Sequence, residues 1–383
     1  MKKSDFAFLF KSYLVWIFVL LGIIFLAIKF LPLQINFLGG GVGNYLASPY
    51  LWLWGNFEGE HYLSIAQNGY QPLTYFFFPL YPIVIKIFSV IFGSGLASFM
   101  KSGILTSNLA FLVSLIGLYK LLKIDFKENI VRNTILLLLV FPTSFYFASA
   151  YTESLFLVFT VWSIYFMRVR KWHLAGILGG MAAATRLIGV VLLVVALIEY
   201  FDFKLPFKFN RKINWNILWL FLIPAGLITY MLFVWGKTGD PLNFFNSVSI
   251  FGNQRSSDLV ILPQVFYRYI VKVLPNLNYS VFTSFFPSVL ELFVGLLFMF
   301  LTIVSFWKVR LSYAIFLTLG YIIPTLSGSF SSLPRYVLVL FPAFIVISLG
   351  LTKNKYLTFA FCLLSFILLI ISLSFFARGY WIS

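Results

Sequence analysis

The sequence has few charged side chains and almost no thiols or imidazoles. Its 383 residues include one cysteine, two histidines and eleven carboxylates, and only 10% of the residues are charged. A single cysteine excludes a disulfide framework and a metal cluster built from thiolates. The low charge, together with 61% hydrophobic residues, excludes an ordinary water-soluble surface.

Long apolar runs take the place of a polar surface. A helix needs about 20 apolar residues to cross the hydrocarbon core of a bilayer, and this chain has many such runs, separated by short polar breaks. The first run, from about Lys11 to Leu33, is too long for the apolar region of a signal peptide and no small-residue cleavage site follows it. We expect it to be retained as an anchor, and the sequence predicts an all-α polytopic membrane protein.

The formal net charge of +17 lies mostly in clusters of lysine and arginine between the apolar runs. Such clusters mark the cytoplasmic loops of membrane proteins, so we expect membrane lipids around the chain and no nucleic-acid partner. No lysine or arginine occurs between Lys29 and Lys86. The pattern predicts a cytoplasmic N-terminus, about eleven crossings, an extracytoplasmic C-terminus, and two larger outer loops at about residues 34–101 and 236–280.

Three apolar stretches do not fit full-length spans. The stretch at residues 75–92 is interrupted by two prolines, and we expect it to lie at the interface, together with an amphipathic helix earlier in the same loop. The segments 132–168 and 171–204 are each too short for two complete crossings and predict short hairpins. Because no internal repeat or low-complexity linker is visible, residues 1–383 are treated as one domain.

The tips of the two hairpins carry charges that would lie below the membrane surface. Glu153 lies at the first tip and Arg186 at the second. A charge placed within a bilayer is costly, which makes a functional role the default hypothesis for both residues. The planar guanidinium of Arg186 suits a phosphate group. An acid at the start of a helix is also stabilised by the helix dipole, which would account for Glu153 without any function.

The first outer loop contains the candidate catalytic residues Glu58, Glu60 and His61. Glu58 and His61 are three residues apart, a helical spacing that lets an imidazole orient a carboxylate. A solvated interfacial helix with acids in its first turn would give the same pattern without catalysis. Carboxylate oxygens at Glu58 and Glu60 suit magnesium or manganese, but two carboxylates and one histidine are a small ligand set, and we expect no metal to be required.

Other charged residues leave alternatives open. Arg335, near the outer end of a later helix, and Arg255, in the second large loop, are further candidates for binding a phosphate; for Arg335, snorkelling to lipid headgroups is an equal alternative. Glu291 lies within an apolar span, where two roles are open: it is one member of a buried pair, or it orients the helix. Solvated charge balance near the basic clusters is the ordinary explanation for Asp5, Asp125, Glu128, Glu199 and Asp202.

Several ordered segments resemble one protein family. The strings FEGEHYLSIAQNGY (residues 57–70) and FFFPLYP (76–82) are similar to the first lumenal loop of the PIG-V family, the second mannosyltransferases of GPI-anchor synthesis and their prokaryotic relatives. The strings FPTS (141–144), SAYTESLF (149–156) and ATR (184–186) resemble the next motifs of that family in the same order. A looser similarity continues at residues 239–241 and 253–255.

The resemblance implies a GT-C type glycosyltransferase that takes a sugar, typically mannose, from a polyprenyl-phosphate donor on the extracytoplasmic side. The expected acceptor is lipid-linked or part of the cell envelope, the expected reaction is an inverting displacement, and the expected location is a prokaryotic cell membrane. In that family the first acid is an aspartate after tryptophan, whereas Glu58 here follows Phe57, so the sugar stays open. The residues predicted to bind donor or substrate are Tyr62, Tyr151, Glu153, Arg186, Arg255 and Arg335.

Two other functions are compatible with the pattern. A transporter or flippase of lipid-linked sugars also uses broken intramembrane helices and buried charges, but it would be expected to contain inverted repeats. A non-catalytic relative that positions another transferase in a membrane complex is the second alternative. It predicts that Glu58→Gln leaves the phenotype unchanged.

Overall fold

The computed structural model describes residues 2–93, 95–203, 214–246 and 258–382, and every regular element in these ranges is a helix. An all-α chain was the prediction. Helices suit an apolar chain in a bilayer because each one satisfies its own backbone N–H and C=O groups. The α-helices are α1 (Lys3–Phe30), α2 (Gly41–Ala47), α3 (Pro49–Trp52), α4 (Glu58–Asn68), α5 (Leu80–Ser89), α6 (Leu96–Leu122), α7 (Glu128–Leu139), α8 (Glu153–Arg168), α9 (Trp172–Thr185), α10 (Leu192–Phe201), α11 (Leu222–Thr238), α12 (Asn243–Asn246), α13 (Leu262–Tyr267), α14 (Phe282–Lys308), α15 (Leu311–Thr325), α16 (Leu333–Tyr336), α17 (Phe341–Leu351) and α18 (Lys355–Ala377).

Five helical segments within the described residues are long and apolar enough to cross a membrane. A sixth is obtained if Leu333–Val339 and Phe341–Leu351, which meet at 83°, form one broken span. The chain is therefore an integral membrane protein by these segments, and the number of about eleven crossings stays a prediction. The five segments are Lys3–Phe30, Leu96–Leu122, Trp215–Thr238, Phe282–Lys308 and Lys355–Ala377.

The helices α5, α8 and α9 are shorter than the membrane is thick. Helix α5 has 10 residues, about 15 Å, which agrees with the expectation that this stretch does not cross. Helices α8 and α9 have 16 and 14 residues, about 24 and 21 Å. As the hairpin prediction required, Glu153 is the first residue of α8 and Arg186 directly follows the last residue of α9.

Helix α9 packs closely against α11 through glycines. A Cβ atom added to Gly226 of α11 would lie 2.0 Å from the carbonyl oxygen of Gly180 of α9. Small residues allow helix backbones in membranes to approach to this distance, where dispersion contacts replace the hydrophobic effect as the source of association. The close packing fixes the height of α9 and therefore the position of Arg186 at its end.

The end of α18 packs against the first outer loop. The Asn56 side-chain amide donates to the carbonyl oxygen of Phe376 (2.8 Å) and its oxygen accepts from the backbone N–H of Gly39 (2.9 Å). Arg378 Nε donates to the carbonyl oxygen of Leu31 (2.9 Å). These bonds place the end of α18 on the same side of the molecule as Glu58, as the predicted topology requires.

Two of the acids expected to be solvated, Glu199 and Asp5, are instead buried. Glu199 is 2% exposed and accepts from Ser312 Oγ and from Arg310 Nε (3.2 Å). Asp125 accepts two hydrogen bonds from the Arg168 guanidinium, one of 2.8 Å. The solvated interpretation was therefore wrong for Glu199, because the ends of α8 and α10 meet the start of α15 here and exclude water, and it was wrong for the buried Asp5. Asp125 is ion-paired but remains exposed.

Candidate active site

Four charged side chains from distant parts of the chain meet at one cavity. Glu58 begins α4, Glu153 begins α8, Arg186 follows α9 and Arg335 lies in α16. All four line a cavity of about 230 Å³. The structure thus brings together four of the predicted site residues, and we call this set the cavity cluster.

The members of the cavity cluster form a continuous chain of ion pairs. Arg335 Nη2 donates to Glu58 Oε1 at 2.7 Å, and Arg335 Nε lies 3.5 Å from Glu153 Oε1. Arg186 Nη1 donates to the same Glu153 Oε1 at 2.7 Å. Glu153 is 1% exposed, so its charge depends on the two guanidiniums for compensation. Two acids and two arginines leave the cluster formally neutral.

The backbone before α4 directs Glu58 into the cavity. Phe57 has a φ of +58°, a left-handed conformation that is uncommon for a bulky residue and that turns the chain into the helix. The turn is held by the Tyr151 hydroxyl, which donates to the carbonyl oxygen of Asn56 at 2.6 Å. The segment before Glu58 is also joined to the second motif by a bond from the Ala150 N–H to the Trp54 carbonyl oxygen (2.9 Å).

Aromatic rings support both arginines. The Arg335 guanidinium lies 5.0 Å from the ring centroid of Tyr336 and 5.3 Å from that of Tyr151. The Arg186 guanidinium lies 5.2 Å from the same Tyr336 ring. A cation over a ring face is attracted electrostatically by the ring, and the attraction is stronger where water is excluded. Tyr336 was not among the predicted residues; its position next to Arg335 in the string LPRY was the available signal.

The structure separates the predicted tyrosines by position. Tyr62 lines the cavity, as its predicted role in binding requires. Tyr151 is 1% exposed and lies behind Arg335, where it holds the backbone before Glu58. Its geometry is that of a support for the cluster, whereas its predicted contact with the donor stays a prediction.

Glu60 and His61 do not line the cavity described by the cluster. Glu60 is exposed, and the His61 ring is half-buried and stacks on Phe77 with centroids 4.9 Å apart. Burial lowers the pKa of His61 below its ordinary value, and the nearby Glu58 carboxylate opposes that shift. His61 is therefore mainly neutral at neutral pH. Arg255, the remaining predicted residue, lies outside the described residues.

The walls of the cavity are mostly apolar. Phe76 and Phe78 come from the first outer loop, Phe244 and Phe245 from α12, and Pro324 from the end of α15. A cavity lined by two guanidiniums together with aromatic and aliphatic groups is suited to a ligand with an anionic head and an apolar chain. Sequence reasoning did not identify these wall residues, because they are aromatic residues among 48 phenylalanines.

The cavity cluster does not form a recognisable metal site. Within the described ranges, no three His, Cys, Asp or Glu side chains converge to hold an ion. Both carboxylates of the cluster are already paired with guanidinium groups. The expectation that the chemistry requires no metal stays a prediction.

Comparison with known proteins identifies a family and a fold. A family model described as mannosyltransferase (PIG-V) matches residues 10–234, more than half of the chain. The structure of ArnT from Cupriavidus metallidurans bound to undecaprenyl phosphate is similar with a TM-score of 0.51 at 17% identity, covering 92% of this chain and 62% of that one. The apo structure of ArnT gives 0.50 at 16% identity, with 92% and 61% coverage.

These structural similarities concern the fold alone. An oligosaccharyltransferase from Archaeoglobus fulgidus in complex with Zn and sulfate gives a lower TM-score of 0.44 at 13% identity, covering 95% of this chain and 53% of that one, and supports no further step. The chain spans less than two thirds of the length of each of these proteins. No curated protein matches the sequence. The shared architecture is the GT-C type membrane fold expected from the sequence.

Proposed function

The chain belongs to the PIG-V mannosyltransferase family, and on that premise we propose that it transfers a sugar from a polyprenyl-phosphate donor to an acceptor hydroxyl. Mannose is the proposed sugar, and a lipid-linked or cell-envelope glycan is the proposed acceptor. The reaction takes place on the extracytoplasmic side of a prokaryotic cell membrane. The observation that carries the proposal is the convergence of Glu58, Glu153, Arg186 and Arg335 at one cavity with apolar walls.

In this mechanism Glu58 is the general base. Its carboxylate removes the proton of the acceptor hydroxyl while the hydroxyl oxygen attacks the anomeric carbon of the sugar. The bond between the anomeric carbon and the phosphate oxygen breaks, and the electron pair leaves with the polyprenyl phosphate. Attack and departure occur on opposite faces, so the configuration inverts. Glu58 lies 20% exposed at the cavity, which leaves its carboxylate accessible to an acceptor.

Arg335 and Arg186 stabilise the charge that develops on the leaving phosphate. Their guanidiniums converge on the one oxygen Glu153 Oε1, so Glu153 holds the two donors side by side. Donors fixed in advance cost no reorganisation when the charge appears, and this is why such groups are effective in a water-poor site. Arg255 is retained in the proposal as a further phosphate contact from the second outer loop.

The apolar walls provide the proposed path for the polyprenyl chain. Phe76, Phe78 and Phe244 line the same cavity as the charged groups. A lipid chain against these rings would leave its phosphate at the guanidiniums. This arrangement supports a lipid-phosphate donor over a water-soluble nucleotide sugar, whose second hydrophilic half would face the same apolar walls.

The experiment is transfer from radiolabelled polyprenyl-phosphate mannose in membranes that contain the wild-type chain or single variants. We expect label in a lipid or polymer acceptor with the wild type and with the control Gln67→Ala, an exposed position on α4. Glu58→Gln should abolish most of the transfer. If no polyprenyl-phosphate sugar labels any acceptor, the proposal fails and transport becomes the better hypothesis; full activity of Glu58→Gln would favour the non-catalytic relative.

A further inference from the structure

Glu291 is a buried carboxylate in the middle of an apolar helix, away from the cavity. It lies in α14 and is 4% exposed. Its Oε2 accepts from the Tyr269 hydroxyl at 2.6 Å, and its Oε1 accepts from the backbone N–H of Ser332 at 3.3 Å. Both of these partners belong to segments outside α14. The carboxylate therefore joins three parts of the chain.

The segment held by Glu291 carries Arg335. Ser332 precedes α16 and has a φ of +64°, an uncommon conformation for a residue with a side chain. Its carbonyl oxygen accepts from the N–H groups of Arg335 (3.2 Å) and Tyr336 (3.0 Å). The position of Ser332 thus sets the first turn of α16, and that turn directs Arg335 toward Glu58.

Other contacts hold the same turn from two sides. Phe330 is fully buried against α14 at Gly295, one helical turn from Glu291, where an added Cβ would lie 3.2 Å from the ring. From the second outer loop, Arg268 Nη1 donates to the carbonyl oxygen of Gly328 at 3.0 Å. Tyr269 lies in a short π-helix, Arg268–Val273, a distortion often found near functional sites.

We propose that Glu291 is a positioning residue for donor binding: it fixes the turn at residues 329–332 and so aims Arg335 at the donor phosphate. The inference rests on the proposed function. A buried carboxylate is expensive unless its oxygens are bonded, and bonds to a charged acceptor are stronger than neutral ones. An apolar residue would suit α14 better as a membrane helix, so the carboxylate is explained by what it holds.

The test compares Glu291→Leu, Glu291→Gln and Tyr269→Phe with the control Ser305→Ala, a buried hydroxyl at the other end of α14. Binding of undecaprenyl phosphate to each purified protein is measured directly, together with KM for the polyprenyl-phosphate mannose donor and KM for the acceptor. Leucine removes both bonds, whereas glutamine keeps an oxygen for the Ser332 N–H. The binding assay does not depend on transfer, so it separates this proposal from the proposed function.

We expect Glu291→Leu to weaken undecaprenyl phosphate binding and raise the donor KM about 10- to 100-fold, with the acceptor KM within about twofold. Glu291→Gln should recover most of the binding, Tyr269→Phe should weaken it about 3- to 10-fold, and Ser305→Ala should match the wild type. In an Arg335→Lys background, Glu291→Leu should cause little further loss of undecaprenyl phosphate binding, because both changes act on the same arginine position.

Wild-type donor binding in a folded Glu291→Leu protein would overturn the proposal, as would equal losses for donor and acceptor. If Glu291→Leu does not fold, Tyr269→Phe decides, since it removes a single hydroxyl; unchanged donor binding in that variant would also overturn the proposal. Absence of transfer by a wild-type protein that binds undecaprenyl phosphate would reject the proposed function and leave the binding comparison valid.

Discussion

Two clusters of buried charge lie at opposite ends of helix α8 and differ in how completely they are bonded. The cavity cluster begins α8 with Glu153, and what we call the helix-end cluster ends α8 with Arg168, which pairs with Asp125 and Glu199; Arg310 completes it. The cavity cluster contains two acids and two arginines; the helix-end cluster contains two arginines and three acids, because Asp202 also pairs with Arg310. Within the described residues, Glu153 Oε2 has no hydrogen-bond partner, whereas both oxygens of Glu199 and of Asp125 accept bonds.

The difference shows that burial of charge does not by itself identify a functional site. Ion pairs whose carboxylate oxygens all accept hydrogen bonds, such as Arg168 with Asp125, hold helix ends together and contribute to the stability of the fold. The Glu153 carboxylate has one oxygen without a hydrogen-bond partner among the described residues and lies beside two guanidiniums and an open cavity. It can therefore accept a hydrogen bond from a ligand. Changes in the cavity cluster should therefore remove activity while the fold persists, and changes in the helix-end cluster should do the reverse.

The largest expected effect is that of Glu58→Gln. Loss of the general base should lower kcat about 10²- to 10⁴-fold, because an amide cannot take the acceptor proton. Undecaprenyl phosphate binding should stay within about threefold of the wild type, since the proposed phosphate contacts are arginines. Single-turnover transfer with a saturating donor measures the rate; a kcat within tenfold of the wild type would remove Glu58 from its catalytic role.

The next effect concerns stability rather than activity. Arg168→Ala should lower the free energy of unfolding by about 1–3 kcal/mol, because it removes one of the two arginine partners of the buried Glu199 and the partner of Asp125. The Arg168 side chain is 9% exposed, whereas that of the control Lys123, paired with Glu128 on the surface, is 41% exposed and its removal should change little. Unfolding of the detergent-solubilised protein provides the measurement. Lost catalysis in a stable Arg168→Ala protein would contradict the comparison.

A smaller effect is expected for Arg186→Lys. The substitution keeps the charge but loses the planar fork that contacts Glu153 and lies against Tyr336. We expect the donor KM to rise about 10- to 100-fold with the acceptor KM unchanged. Steady-state kinetics with each substrate varied in turn test this. An equal rise of both constants would show a general distortion of the site.

The smallest effect is a pH dependence from His61. Burial holds the pKa of His61 below its ordinary value, so the folded protein binds fewer protons there than the unfolded chain. The contribution of His61 to the free energy of unfolding is therefore fully present above about pH 6.5. It is lost as the pH falls toward the pKa of His61 in the folded protein. His61→Phe, which keeps a ring against Phe77, should remove this part of the acid sensitivity. Identical acid profiles for both proteins would rule out His61 as its source.

Much of the architecture was predictable from the sequence. The long apolar runs predicted an all-α membrane protein, and the hairpins that end at Glu153 and Arg186 are observed. The family resemblance was confirmed. These features follow from local properties, because hydrophobic length and motif spacing are properties of contiguous residues.

The pairing of the charges depended on tertiary structure. Arg335 is 277 positions from Glu58, and snorkelling to lipid was an equal alternative until the ion pair was visible. Glu199 was interpreted as solvated, although the helix ends around it exclude water. Glu291 was left open between a buried pair and a helix-orienting group, and only the structure shows its bonds to Tyr269 and Ser332.

From the sequence alone follow the membrane as solvent, the helical class, the family and the four members of the cavity cluster as candidates. Only the tertiary structure decided which acid faces which arginine, which cluster is saturated and which turn carries Arg335. The physical reason is that hydrophobicity acts along the chain, residue by residue. A hydrogen bond between charged groups instead depends on the rotation and depth of two helices to within about 1 Å.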